Sequence, residues 1–116
     1  MPTWDDVVAM GLRLPGVEAA TSYGTPALRV RGKGICRLRT DPDALVLRVI
    51  DLGEREALLR GQPEAFFSIP HYDGHPYVLV RLEAVDPVEL DELLEEAWRL
   101  RASKRVITAY DAPAPP

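Results

Sequence analysis

Apolar residues recur every three or four positions from Trp4 through Val7, Val8 and Leu12, which places them along one side of a helix. Thr3 with Asp6 three residues later is a capping-box-like start, and Leu14-Pro15-Gly16 stops the pattern, so a helix is predicted over 3–14. The period then shortens. Glu18 to Tyr23 suits a short strand, Gly24-Thr25-Pro26 turns the chain, and Ala27 to Arg39 alternates apolar with basic residues. A three-residue loop at Gly32-Lys33-Gly34, with Gly34 left-handed, pairs Val30 with Cys36 and Leu28 with Leu38 and sets Arg29 opposite Arg37 on the other face. A two-residue loop mixes arginines into the apolar face, so the longer loop is the expectation. After the turn at Asp41-Pro42-Asp43, Ala44 to Ile50 reads as a mostly buried, β-branched strand.

Asp51 with Glu54 repeats the capping spacing before a short helix over 53–60, closed by Gly61 and Pro63, whose Leu58 and Leu59 must pack on the sheet. Next come two apolar runs, Phe66 to Ile69 and Tyr77 to Leu82, across Asp73-Gly74. That dipeptide suits a two-residue type I′ turn, which pairs Phe67 with Val80 and Ile69 with Val78 as core and turns Phe66, Ser68, Leu79 and Arg81 to the other face. Pro70 and Pro76 each remove a ladder donor, so pairing should weaken beside the turn. Asp86-Pro87-Val88-Glu89 opens the last long helix, with Leu90, Leu93, Leu94, Ala97 and Trp98 as its apolar stripe, and Lys104-Arg105 begins a final helical turn running to Tyr110.

Helix, strand, ribbon, strand, helix, hairpin and helix, all joined by short connections, make an α+β domain. The expected architecture has two layers, an antiparallel-dominated sheet of about 5–6 strands with helices on one face. The domain spans 1–110, and the Pro/Ala-rich tail 111–116 is expected to be disordered.

At 116 residues the chain can bury a core without disulfides or metal. The single cysteine, Cys36, has no internal partner, there is no run of about 20 apolar residues, and the first residues lack the order of a signal peptide. A cytoplasmic protein with no membrane contact is expected. The formal charge of −4 argues mildly against nucleic acid, but charge is segregated. Ala27 to Thr40 holds Arg29, Arg31, Lys33, Arg37 and Arg39 with no acid, and Asp86 to Glu96 holds six acids with no base.

That segregation supplies the first functional reading. A basic β-ribbon can lie against nucleic acid, its arginines reaching phosphates or guanine edges. The candidate contacts are Arg29, Arg31, Lys33, Arg37 and Arg39, with Arg48, Lys104 and Arg105 as extensions, and DNA as the partner. No aromatic residue interleaves with the ribbon arginines in sequence, so base stacking has no local support. The plain alternative is that arginine fills the solvent face of a half-buried sheet. A second reading, from another class, is a protein-interaction or self-association domain using Phe66, Leu79, Val46 and Ile50 on the open sheet face.

Enzyme chemistry finds no foothold. His71, Asp73 and His75 lie close together, but nothing completes a metal set, and Asp73 is explained by the turn. Cys36 sits in a strand, where a buried structural thiol is the common case. Trp4 and Trp98 lie on helix stripes and belong to the core. The acids opening the last helix and Arg99 and Arg101 at its end complement the helix dipole, and Lys104-Arg105 gains interest only beside Arg29 or Arg37. No cofactor is expected.

The run Phe66 to Leu82, followed by Glu92 to Arg105, resembles the MmcQ/YjbR family of small α+β proteins. Leu14-Pro15-Gly16-Val17-Glu18, Tyr23-Gly24-Thr25-Pro26 and the basic ribbon around Gly32-Lys33-Gly34 fit the same pattern, so the resemblance covers nearly the whole chain. It implies a compact domain of "double wing" arrangement, named as a predicted DNA-binding protein rather than an enzyme with established catalytic residues. The chain departs from the family pattern at Ser103, where proline is more usual, and this favours a longer last helix.

Overall fold

The structure is a computed structural model and describes residues 1–113. Six strands form one antiparallel sheet: β1 (Val17–Ser22), β2 (Thr25–Val30), β3 (Lys33–Arg39), β4 (Ala44–Arg48), β5 (Phe66–Phe67) and β6 (Tyr77–Val80). Their spatial order is β1-β2-β3-β4-β6-β5, a four-stranded meander continued by β6, with β5 at the edge. Four helices complete the chain: α1 (Trp4–Leu12), α2 (Leu52–Gly61), α3 (Pro87–Arg101) and α4 (Lys104–Asp111). The expected α+β fold is present. Asp111 closes α4 rather than opening the tail, and residues 114–116 of that tail lie outside the described residues.

Helix starts follow the local sequence. Thr3 and Asp6 form a reciprocal capping box, and the Asp51 and Asp86 carboxylates accept from the backbone N–H of Glu54 and Glu89. Ser103 does the same for Val106 with its hydroxyl, but Ala102 and Ser103 are both extended, so α3 stops at Arg101 and α4 follows as a separate helix, not as the longer last helix expected. The helices share one face of the sheet. Val7 of α1, Leu58 of α2 and Leu90, Leu93, Leu94 and Ala97 of α3 pack with Leu28, Cys36, Leu45, Leu47, Val78 and Val80 into the main core. Trp98 is fully buried between Leu14, Val30 and Ala102, and its indole N–H donates to the Pro15 carbonyl at 2.8 Å.

Two hairpins differ from expectation. The ribbon turns at Arg31-Gly32, both with positive φ (54° and 74°), which is the two-residue type I′ turn. Val30 faces Lys33 and Arg29 faces Gly34, but Leu28 then faces Cys36, because Ile35 is an extra residue in β3. This β-bulge restores the apolar face that the short loop alone would lose, and it lets Ile35 and Cys36 both be buried. The expected pairs Val30–Cys36, Leu28–Leu38 and Arg29–Arg37 are therefore not formed.

The Asp73-Gly74 hairpin is also reorganised. Pro70–Tyr72 is a 3₁₀ turn, and Asp73 (φ −58°, ψ 128°) with Gly74 (φ 77°) forms a type II turn, closed by the His75 N–H on the Tyr72 carbonyl at 3.0 Å. Phe66 pairs with Val80 and Phe67 with Leu79, one residue off the expected register. A one-residue slip exchanges the two faces, so Phe66 enters the main core and Phe67 leaves it. Pro70 starts the 3₁₀ turn and takes the chain out of the ladder, which leaves β5 only two residues long.

Candidate nucleic-acid interface

On the sheet face away from the helices, the segment carrying the 3₁₀ turn folds back over β4 and β6. Tyr72 is buried against Val46 and Leu79, with Phe67, Ile69 and Tyr77 around them. Phe66, Val46 and Leu79 are only 1%, 4% and 0% exposed, so three of the four residues expected to form an open apolar face are covered, and Ile50 alone is exposed. This overturns the apolar-patch expectation, which took the sheet face opposite the helices to be open.

The segment stops short of β1–β3 and leaves a cleft of about 660 Å³. Its floor is Ala20, Ala27, Arg29, Gly34 and Arg37. Its walls are the β1–β2 turn, with Ser22 and Tyr23, and the covering segment, with His71, Tyr72, His75 and Tyr77. Among the described residues no aspartate or glutamate lines it. Arg29 and Arg37 do share this face, joined through Ala27, which alternates with Arg29 along β2 and pairs with Arg37 across the ladder.

Arg37 is the organised base of the cleft. Its Nη2 donates to the Tyr72 hydroxyl at 2.9 Å, Nη1 to the Leu38 carbonyl at 3.4 Å, and the guanidinium lies 5.1 Å from the centroid of the Tyr23 ring. His71 packs edge-on to Tyr72 at 4.8 Å. Tyr23 is 90% exposed and has φ 53° in a type I′ turn with Gly24. A left-handed conformation costs a tyrosine about 1–2 kcal/mol, and little packing offsets it here.

The other basic candidates divide. Arg31 and Lys33 are exposed at the Arg31-Gly32 turn. Arg39 is half-buried and donates from Nη2 to the Asp41 carbonyl at 3.2 Å, and its Nε is enclosed without a partner. Arg48 donates from Nε to the Val49 carbonyl at 2.9 Å and lies 5.8 Å from the Tyr77 ring centroid. Lys104 and Arg105 are exposed on the first turn of α4 and do not line the cleft. Arg101, set aside in sequence as a helix-dipole residue, does not line the cleft either but binds two residues that do: Nε donates to the Gly34 carbonyl at 3.3 Å and Nη2 to the Tyr77 hydroxyl at 3.5 Å.

Sequence spacing missed the aromatic component, because Tyr23, Tyr72 and Tyr77 come from segments far apart in the chain. The ribbon itself is less free than expected. β2 is paired on its outer edge by β1 and β3 by β4, so only the Arg31-Gly32 tip projects, and the ribbon cannot enter a major groove as an isolated arm. Burial pushes the Cys36 thiol up to about 12, partly opposed by the Leu28 backbone N–H, so it stays neutral at neutral pH within the core on the helix side of the sheet. Among the described residues no three His, Cys, Asp or Glu side chains gather as a metal-binding group, and no helix is long and apolar enough to cross a membrane.

Comparison with known proteins places this geometry in context. The family model described as YjbR matches residues 12–100. Uncharacterized protein Mb2600 of Mycobacterium bovis and Uncharacterized protein Rv2570 of Mycobacterium tuberculosis are each 33% identical over 124 residues, covering 95% of this chain and 96% of the relative. The crystal structure of Deinococcus radiodurans protein DR2400, with the family-model domain DUF419, superposes with a TM-score of 0.76 at 22% identity, covering 97% of this chain and 91% of that one.

Proposed function

The chain belongs to the YjbR family, and on that premise we propose that it is a non-enzymatic DNA-binding module whose contact surface is the cleft and the turn at its end. One observation carries the reading: of the five bases between Ala27 and Thr40, Arg29 and Arg37 line a cleft with no carboxylate among its lining residues, and Arg31 and Lys33 stand at the turn beside it, in a chain of net charge −4. A cleft lined by bases and no acid, with low-dielectric walls, concentrates an anionic partner, with Glu18 set outside it across from Arg29. Arg29, Arg31 and Lys33 are the exposed phosphate contacts, and Arg101 extends them toward α3. Burial keeps the Cys36 thiol neutral and so a poor nucleophile, which favours binding over chemistry, and a lone reduced thiol suits the cytoplasm.

Fluorescence anisotropy with labelled DNA tests this. Affinity should fall steeply with salt, by about 0.9 in the slope of log K against log salt for each duplex phosphate neutralised and about 0.7 for each single-strand phosphate. The double change Arg29→Ala with Lys33→Ala should flatten the slope by roughly one to two units. Absence of binding at about 50 mM salt, where phosphate contacts are strongest, overturns the reading.

A further inference from the structure

We propose that the cleft receives one unpaired base of single-stranded DNA, stacked on Tyr23, with the neighbouring phosphates held by Arg37 and Arg29; this deepens the DNA-binding reading and rests on it. Four observations converge. The most exposed aromatic ring of the chain stands at the mouth of the cleft, in a backbone conformation where Asn, Asp or Gly is the ordinary choice. Strain held at an exposed ring points to a role outside packing.

The guanidinium of Arg37 already lies by that ring, and its bonds to Tyr72 and Leu38 engage two of its five N–H groups. The remaining donors are free for a phosphate, and the tyrosine hydroxyl fixes the group before any ligand arrives. The floor is kept low by small residues: Ala20 pairs with Ala27, and a Cβ placed on Gly34 meets nothing within 4 Å. The resulting volume, about 660 Å³, is in the range that accepts a small organic group.

Single strands satisfy this geometry and duplexes do not. The reading edge of a paired base lies inside a groove, and the ribbon, flanked by β1 and β4, cannot follow it there. An unstacked base can turn into a walled cleft, and any base offers a π-face to a tyrosine.

The test compares one labelled oligonucleotide as a single strand, as a duplex and with a central abasic position, against the full chain at low salt. The single strand should bind more tightly than the duplex, and the abasic strand should lose part of that advantage. Tyr23→Asn, which suits the turn, should weaken single-strand binding by roughly 5–100-fold, and Tyr23→Phe should restore it. If single strand and duplex bind alike, or Tyr23→Asn and the abasic strand bind as the parents do, the cleft assignment falls while DNA binding stands. If neither form binds, both fall.

Discussion

Arg55 Nη2 donates to the Ser68 hydroxyl at 2.7 Å, and the same guanidinium donates from Nε to the Tyr77 carbonyl at 3.1 Å. Ser68 and Tyr77 are the two ends of the segment that walls the cleft, so a side chain on α2, only 6% exposed, holds that wall closed. Glu56 accepts from Nη1 at 3.1 Å and balances the charge.

Replacing Arg55 by leucine should cost about 2–4 kcal/mol, because a carbonyl and a hydroxyl lose charge-assisted partners in a largely enclosed site. Urea unfolding measures it. A midpoint equal to the parent's would mean that the segment is held by Tyr72 and Leu79 packing alone.

Trp98→Ala should destabilise by about 3–5 kcal/mol, as large-to-small changes in a full core do. Trp98→Phe keeps most of the ring but strands the Pro15 carbonyl, and should cost about 1–2 kcal/mol. A Trp98→Phe midpoint equal to the parent's would remove the indole hydrogen bond from the account.

Gly11 tests close packing of α1. A Cβ there would lie 2.5 Å from Leu28 Cδ1, and Leu28 is fully buried. Alanine ordinarily improves a helix interior by about 1 kcal/mol, but overpacking costs about 1–3 kcal/mol, so Gly11→Ala should be net destabilising. Combined with Leu28→Val, part of the loss should return, a coupling that a double-mutant cycle reads. Strict additivity would show that α1 simply shifts.

The docking of α4 should depend on pH from both sides. Hydrogen bonds from Arg99 at 2.7 and 2.8 Å hold the Asp111 carboxyl below its usual 3.8. A lowered folded value means that this contribution is present above the ordinary carboxylate range and is lost as pH falls through the folded value. Tyr110 is raised above its usual 10.0, chiefly because its hydroxyl donates to Glu95 at 2.6 Å, so its contribution is full below 10.0 and is lost as pH rises through the folded value. Trp98 lies 4.8 Å from the Tyr110 ring and reports on the helix by fluorescence. Asp111→Asn should abolish the Asp111-dependent part of the acid transition, and an unchanged transition would detach the Arg99 clamp from it.

What could be read from the sequence was local. Thr3, Asp51 and Asp86 place helix starts because a cap and its partner lie within one turn. Trp98 and the leucines of α3 mark a buried stripe because helical spacing repeats. The ribbon register was harder, since a longer loop and a bulge at Ile35 both recover the alternation, and only packing of Ile35 and Cys36 together under the helices decides between them. The cleft was not legible for a different reason. Tyr23, Arg37 and Tyr72 meet only after β1, β3 and the 3₁₀ segment are assembled, and no spacing rule relates them. Arg101 had a sufficient local explanation in the helix dipole, which concealed its reach to Gly34.

Two of the type I′ turn positions, Tyr23 and Arg31, carry long side chains in left-handed backbone. Selection for heat resistance alone would move both toward asparagine or glycine, each change relieving about 1–2 kcal/mol of strain. The toughest variants from such a library would then lack the exposed ring at one end of β2 and the projecting base at the other. Heat tolerance and ligand affinity would sort the same mutants in opposite orders, and a stabilised scaffold made from this chain would need both positions held fixed.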